Sequence, residues 1–159
     1  MVDWIAHLLV PWIGSKIFQL KSSKLSNREI PIIMFGAVIP DIIKINYLLS
    51  WIEIDVAGFL LPFHTPVGSA IVAAIISLMF ARRRVFFLMI VGVIAHFALD
   101  ALLTHVAGGM IILFPFDWTW GFQLGLIPSD SWTPTVLSVV TAGILFLAAK
   151  SKARDKPSG

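Results

Sequence analysis

Asp100 lies four residues after His96 inside Val85–Val106, a run long and apolar enough to cross a membrane. A carboxylate near the bilayer centre costs at least about 2.5–3.5 kcal/mol, so ionisable residues at that depth are rare and mark function. Residues four apart share one helix face. The pair therefore sets an imidazole beside a carboxylate. Such a pair can hold a transition metal, relay a proton or simply hydrogen-bond. The choice turns on what else reaches the same depth, and His7, Asp41 and His64 are the other metal-competent side chains in apolar runs.

Composition then defines the elements that must position them. The 159 residues are 58% hydrophobic and 13% charged, with a mean hydropathy of +0.91. A soluble domain carries about 25% charged residues, so this is an integral membrane protein. The expected fold is an all-α, polytopic membrane bundle of about five transmembrane or re-entrant helices, one domain over 1–150 with a basic cytoplasmic tail at 151–159. Six Trp and twelve Phe against one Tyr suit a lipid-facing surface with interfacial anchors. The absence of Cys excludes disulfides and thiolate metal sites. Asp3 precedes the first apolar run and no basic segment does, which argues against a cleaved signal peptide. The net charge of +3 is placed by topology, so no nucleic-acid partner is expected. No nucleophilic-serine motif, phosphate-binding glycine loop or dinucleotide fingerprint is present.

Five apolar segments follow. The first, Val2–Leu20, is interrupted by Pro11 and Gly14, and a polar connector, Lys21–Glu29, ends it. The second, Ile30–Ser50, carries Pro31, Gly36 and Pro40, and a short acidic loop, Trp51–Phe63, follows. The third, Thr65–Ala81, is rich in small residues, as close helix packing in lipid requires. Arg82–Arg84 separates it from the fourth, Val85–Val106. A long aromatic loop, Ala107–Trp132, leads to the fifth, Thr133–Ala149, and the basic stretch Lys150–Lys156. The basic clusters at 16–28, 82–84 and 150–156 fall on one side if the five segments alternate. That side is expected to be cytoplasmic, with the N-terminus outside and the C-terminus inside the cell membrane. Lys44 is the one basic residue that breaks the scheme.

Counted from the cytoplasmic side at about 1.5 Å per residue, His96 and Asp41 lie roughly 16 Å up their segments, His7 roughly 20, Asp100 roughly 22 and His64 roughly 25. Five metal-competent side chains from four segments thus share the outer half of the bilayer. Each has a plainer reading. His7 suits an interfacial or core histidine. His64 could only lead into a helix capped by Thr65 with Pro66 in its first turn. Asp41 could pair with Lys44 one turn on. Lys44 itself reads either as a side chain snorkelling to the outer interface or as a cation that holds an anionic headgroup. His105 points away from the His96–Asp100 face, which suggests an interfacial role. Asp117 reads as a loop residue.

The order His7-Leu8-Leu9, Pro40-Asp41, His64-Thr65, His96-x3-Asp100 and Pro115-Phe116 resembles the YdjM-like family of inner-membrane proteins, named for LexA-regulated bacterial members and read as metal-dependent hydrolases. The resemblance spans residues 7–116. It implies that His7, Asp41, His64, His96 and Asp100 bind metal. Three features depart from the family pattern. Ile43 stands where a second acid is common, no His-Arg pair precedes His64, and Leu103 rather than a threonine lies three residues after Asp100. Loss of those ligands would reduce a two-metal site to one metal or remove catalysis.

Three His and two Asp without thiolate suit a divalent metal, zinc first and manganese next. Zinc with an open position lowers the pKa of its water toward about 7, and Asp41 or Asp100 can accept the proton. His64, His96 and Asp100 are the first choice of ligands, with His7 and Asp41 as further ligands or base. The expected function is hydrolysis of a phosphoester or ester in a lipid or lipid-linked substrate of the outer leaflet, with membrane lipids as partners and a homo-oligomer left open. The aromatic loop would serve as an interfacial lid or platform. The competing classes are a transporter or proton pathway, which also uses intramembrane His and Asp, and a non-catalytic scaffold. Transport without a visible repeat would need a dimer.

Overall fold

A computed structural model describes residues 4–104, 109–128 and 130–154. Asp3, His105 and Lys156 lie outside the described residues. The chain runs through α1 (Trp4–Lys21), α2 (Ile30–Val38), a 3-10 stretch (Ile39–Lys44), α3 (Ile45–Leu49), α4 (Ala57–Leu60), a 3-10 turn (Leu61–His64), α5 (Pro66–Met79), α6 (Arg83–Leu102) and α7 (Thr133–Arg154). Among the described residues, Ile30–Ile52, Arg83–Leu102 and Thr133–Ser151 are long and apolar enough to cross a membrane. Ala57–His64 and Pro66–Met79, bent by 87°, make a fourth span if counted as one broken element. The architecture is an all-α membrane bundle. Ile71, Ile75, Val91, Ile94, Leu137 and Ile144 are each more than half exposed. In water that surface would invite aggregation; in a bilayer it is solvent contact.

Helix α1 is the fifth member. Its 18 residues reach about 27 Å, but Lys16, Gln19 and Lys21 leave it less apolar than the others. The interruption expected at Pro11 and Gly14 does not occur, because the helix is continuous through both. Pro11 removes only the N–H that would meet the His7 carbonyl, a loss that membrane helices tolerate when neighbours pack against it. Its buried face carries Ala6, His7, Pro11 and Ser15, and the Ser15 hydroxyl donates to Pro11 O at 2.7 Å.

The central crossing is α2 on α6. A Cβ on Gly36 would run into the Met89 backbone, and one on Gly92 would run into the Ile33 carbonyl and lie 2.6 Å from Ala37 N. The two backbones therefore touch, which only glycine at both positions allows. Ile39, Ala73 and Met89 fill the buried space beside this crossing.

The sequence placed the end of the fourth segment at Val106, followed by a loop. Instead α6 stops at Leu102, and Leu103–Thr104 (β1) turns extended to pair in parallel with Ile127–Pro128 (β4). Met110–Ile111 (β2) pairs antiparallel with Gly121–Phe122 (β3). The last α6 carbonyls are met from this segment: Leu124 N–H donates to Ala101 O at 2.6 Å, and Leu126 N–H to Leu102 O at 2.9 Å. Met110 buries against Val93, Phe97 and Ala101. The aromatic segment is thus a structured cap on α6. Opposite, Arg84 grips Glu29 with its Nε and donates from Nη2 to Lys24 O at 2.6 Å. That contact puts the connector after α1 and the α5–α6 hairpin at one end of the bundle.

Candidate metal centre

Pro40 organises the site. A proline after α2 cannot donate, and the chain tightens there to a 3-10 stretch. In a 3-10 turn the carbonyl of residue 37 would look to the N–H of residue 40, which proline lacks. Pro40 therefore offers nothing to Ala37 O, and the Gly36–Gly92 crossing brings His96 to it: His96 Nδ1 lies 2.8 Å from Ala37 O. The Pro40 carbonyl does the same for His64, at 2.9 Å from its Nδ1. Asp41 follows on the same stretch. His64 closes the turn Leu61–His64, and the 87° bend that aims it falls at Thr65. Thr65 caps α5 as the sequence suggested, accepting from Gly68 N–H at 3.0 Å and donating to Pro62 O at 2.7 Å. His64 is nonetheless part of the cluster. Asp100 stands one turn beyond His96 on α6, and α1 brings His7 across from the other side.

All five side chains converge. Asp100 Oδ1 lies 3.0 Å from His7 Nε2, and Oδ2 lies 3.1 Å from His96 Nε2 and 3.4 Å from His64 Nε2. Asp41 Oδ1 lies 3.9 Å from His96 Nε2. The His7 and His96 ring centroids are 4.1 Å apart, and those of His64 and His96 are 5.5 Å apart. His7, His96 and Asp100 are buried; Asp41 and His64 are partly so.

Backbone carbonyls only accept, so His64 and His96 must each carry a proton on Nδ1. In the neutral rings both Nε2 atoms are then lone pairs aimed at carboxylate oxygens. Lone pairs facing lone pairs in a buried site call for a cation, either a proton or a metal ion. The unpartnered atoms agree. His7 Nδ1, Asp41 Oδ1 and His96 Nε2 are buried without a hydrogen bond, and the same three residues offer donor atoms within 4.8 Å of one another. His64, His96 and Asp100 form a second such trio. That span is near the roughly 4 Å that separates ligands on opposite sides of one ion, each bound at about 2.0–2.2 Å. The donor chemistry fits a divalent metal of the zinc or manganese type, and His96, common to both trios, is the pivot. Its Nδ1–H bond to a carbonyl is the support that metal-binding histidines ordinarily have.

Lys44 does not reach away from the cluster as a snorkelling side chain would. Its ammonium lies 2.6 Å from Asp41 Oδ1, a close ion contact without hydrogen-bond alignment, and 5.6 Å from the centre of the Trp4 ring. The ion-pair reading of Asp41 is therefore present together with its place in the cluster. Two cavities adjoin the site. One, of about 230 Å³, reaches His7 and Asp41 between α1 and the 3-10 stretch. The other, of about 370 Å³, reaches His64 under the aromatic cap. Asp117 stays with the cap, accepting from Thr119 N–H and Oγ1, both at 2.7 Å. Ile43 and Leu103 offer no ligand. The Ala37 and Pro40 carbonyls carry no side-chain signal, although a Pro-Asp step inside an apolar run does hint at freed carbonyls nearby.

A family model described as YdjM inner membrane protein matches residues 2–156. No curated protein and no solved structure matches the chain.

Proposed function

The chain belongs to the YdjM inner membrane protein family, and on that premise we propose that it is a membrane-embedded, metal-dependent hydrolase of lipid or lipid-linked esters or phosphoesters. The observation that carries the reading is that His7 Nδ1, Asp41 Oδ1 and His96 Nε2 are buried without a hydrogen bond, while the Nε2 lone pairs of His64 and His96 are turned on Asp100. A bound divalent metal, zinc before manganese, supplies Lewis acidity to a water and to the substrate's oxygen. The chain does the rest. His96, His64 and Asp100 hold the ion, with His7 closing the set from α1. Asp100, engaged on both oxygens by imidazoles, anchors charge rather than moving a proton. Asp41 borders the cavity and has the freer carboxylate, so it takes the water's proton. Lys44, beside Asp41, is placed to hold an anionic oxygen of the substrate. The site faces the outer half of the bilayer, with the N-terminus outside and the C-terminus cytoplasmic, as the basic clusters direct.

The test is hydrolysis of phosphatidylglycerol and phosphatidylethanolamine in mixed micelles, measured together with metal content for wild type and Asp100→Asn. Metal-dependent product that disappears in the variant supports the reading. No hydrolysis with metal bound would sink it, and proton flux in proteoliposomes under the same conditions would move the assignment to a proton pathway.

A further inference from the structure

The cavity beside α1 is walled by apolar side chains, and its rim lies partly on a segment long and apolar enough to cross a membrane. We propose that it is a lateral groove for the hydrocarbon chain of a membrane lipid, which it leads to the His–Asp cluster. The proposal deepens the hydrolase reading and rests on it for its consequence.

Trp4, Leu8, Ile42, Ile45 and Leu48 form its walls, and His7 and Asp41 its inner end. The rim residues Trp4, Ile45 and Leu48 are 47%, 46% and 62% exposed and belong to the outer surface of the bundle. Ile42, Ile45 and Leu48 lie on the span Ile30–Ile52, so the groove opens sideways at membrane depth. Water needs two to four polar partners to occupy a site, and these walls offer none short of the cluster. Hydrocarbon needs no polar partner. An acyl chain of a membrane lipid is the occupant whose polarity matches these walls.

The cluster end of the groove is where polarity begins. Lys44, stacked over Trp4 and touching Asp41, marks the change. Beyond the cluster, the second cavity is bordered by His64, Trp118 and Thr119 and has room for a headgroup. A lipid with its chain in the groove places the junction of chain and headgroup at the histidines. The substrate class is therefore an amphiphile that enters from the bilayer with one chain leading.

The experiment uses the full chain in vesicles of phosphatidylglycerol and phosphatidylethanolamine doped with a phosphatidylglycerol that bears a diazirine on one acyl chain. Photolabelled residues are mapped by mass spectrometry, with metal and with chelator. Labelling at residues 4–8 and 42–48 should exceed that of Leu137 and Ile144, which are at least as exposed as most of the groove rim, by about fivefold, the ratio set by a preference of about 1 kcal/mol. Ile45→Trp, at a half-exposed rim position, should abolish the excess, whereas Ile75→Trp on the far surface should not. Even labelling of all lipid-facing residues would overturn the proposal, and the wild-type map alone decides it if Ile45→Trp does not fold. Excess labelling that survives chelation keeps the groove whatever the fate of the hydrolase reading. Even labelling with metal bound removes the groove alone.

Discussion

Replacing Gly92 with alanine tests how the fold builds the site. The added Cβ would lie 2.6 Å from Ala37 N and run into the Ile33 carbonyl. Ordinary contact begins near 3.4 Å, so α2 must retreat from α6 by at least about 0.8 Å. The His96 Nδ1–Ala37 O bond, 2.8 Å long, would stretch to about 3.6 Å, beyond hydrogen-bond range. Overpacking costs about 1–3 kcal/mol, and a buried N–H left without a partner about 1–3 kcal/mol more. Gly92→Ala should therefore lose roughly 2–6 kcal/mol, and His96, free to rotate, should lose its hold on metal. The assay is the thermal midpoint in detergent with and without added zinc, alongside zinc per chain. A variant with the wild-type midpoint and full zinc content would refute the argument that this crossing sets the imidazole.

Lys44→Met leaves the buried Asp41 carboxylate without its cation and should cost the metal-free protein about 1–3 kcal/mol, less than a fully buried pair because Lys44 is partly exposed; zinc should restore the midpoint, and an equal loss in both states would remove Asp41 from the metal site. Hydrogen bonds from the Arg84 guanidinium and from Ser26 hold the Glu29 carboxyl at about 2, below its usual 4.5. Its contribution to stability is full above about pH 4.5 and is lost as the pH falls toward about 2. Arg84→Gln should raise the Glu29 pKa toward 4.5, measurable by carboxyl-labelled NMR titration; an unchanged value would disprove the contact. The chain has no native cysteine, so single cysteines at 54, 83 and 126 report topology. Impermeant maleimide added to intact cells should label 54 and 126 but not 83, and the reverse pattern would invert the bundle.

The site was legible where side-chain chemistry and helix geometry coincide. His96 and Asp100 declare themselves because an i,i+4 polar pair is costly in lipid. Asp41, His64 and His7 follow from shared depth, which depends only on rise per residue and the side of each basic cluster. What the sequence hides are properties of crossings. The Ala37 carbonyl fixes the His96 tautomer only because Gly36 and Gly92 let two backbones touch, and nothing local to either glycine names its partner; the Pro40 carbonyl meets His64 from a turn more than twenty residues on. The early end of α6 was hidden as well. Two-residue strands carry no periodicity, and Val85–Val106 has no proline and no glycine after Gly92, so the extended turn at Leu103 rests on distant partners at Ile127 and Pro128. The continuity of α1 through Pro11 has the same origin. Proline and glycine argue for a break locally, and packing of the Ala6–Ser15 face overrides them. Lys44 could equally have reached outward; Trp4, forty residues away in sequence, helps to turn it back.

The central claim is that one divalent metal is held at His96 by residues from three elements, α1, the 61–64 turn and α6. Crystals grown with zinc, with diffraction recorded on both sides of the zinc absorption edge, test it most directly. The account predicts a single anomalous peak about 2.0–2.1 Å from His96 Nε2, with Asp100 and at least one of His64 and His7 in the same shell. A protein with the same fold and no peak within the cluster at saturating zinc, or a peak that does not touch His96, would contradict it.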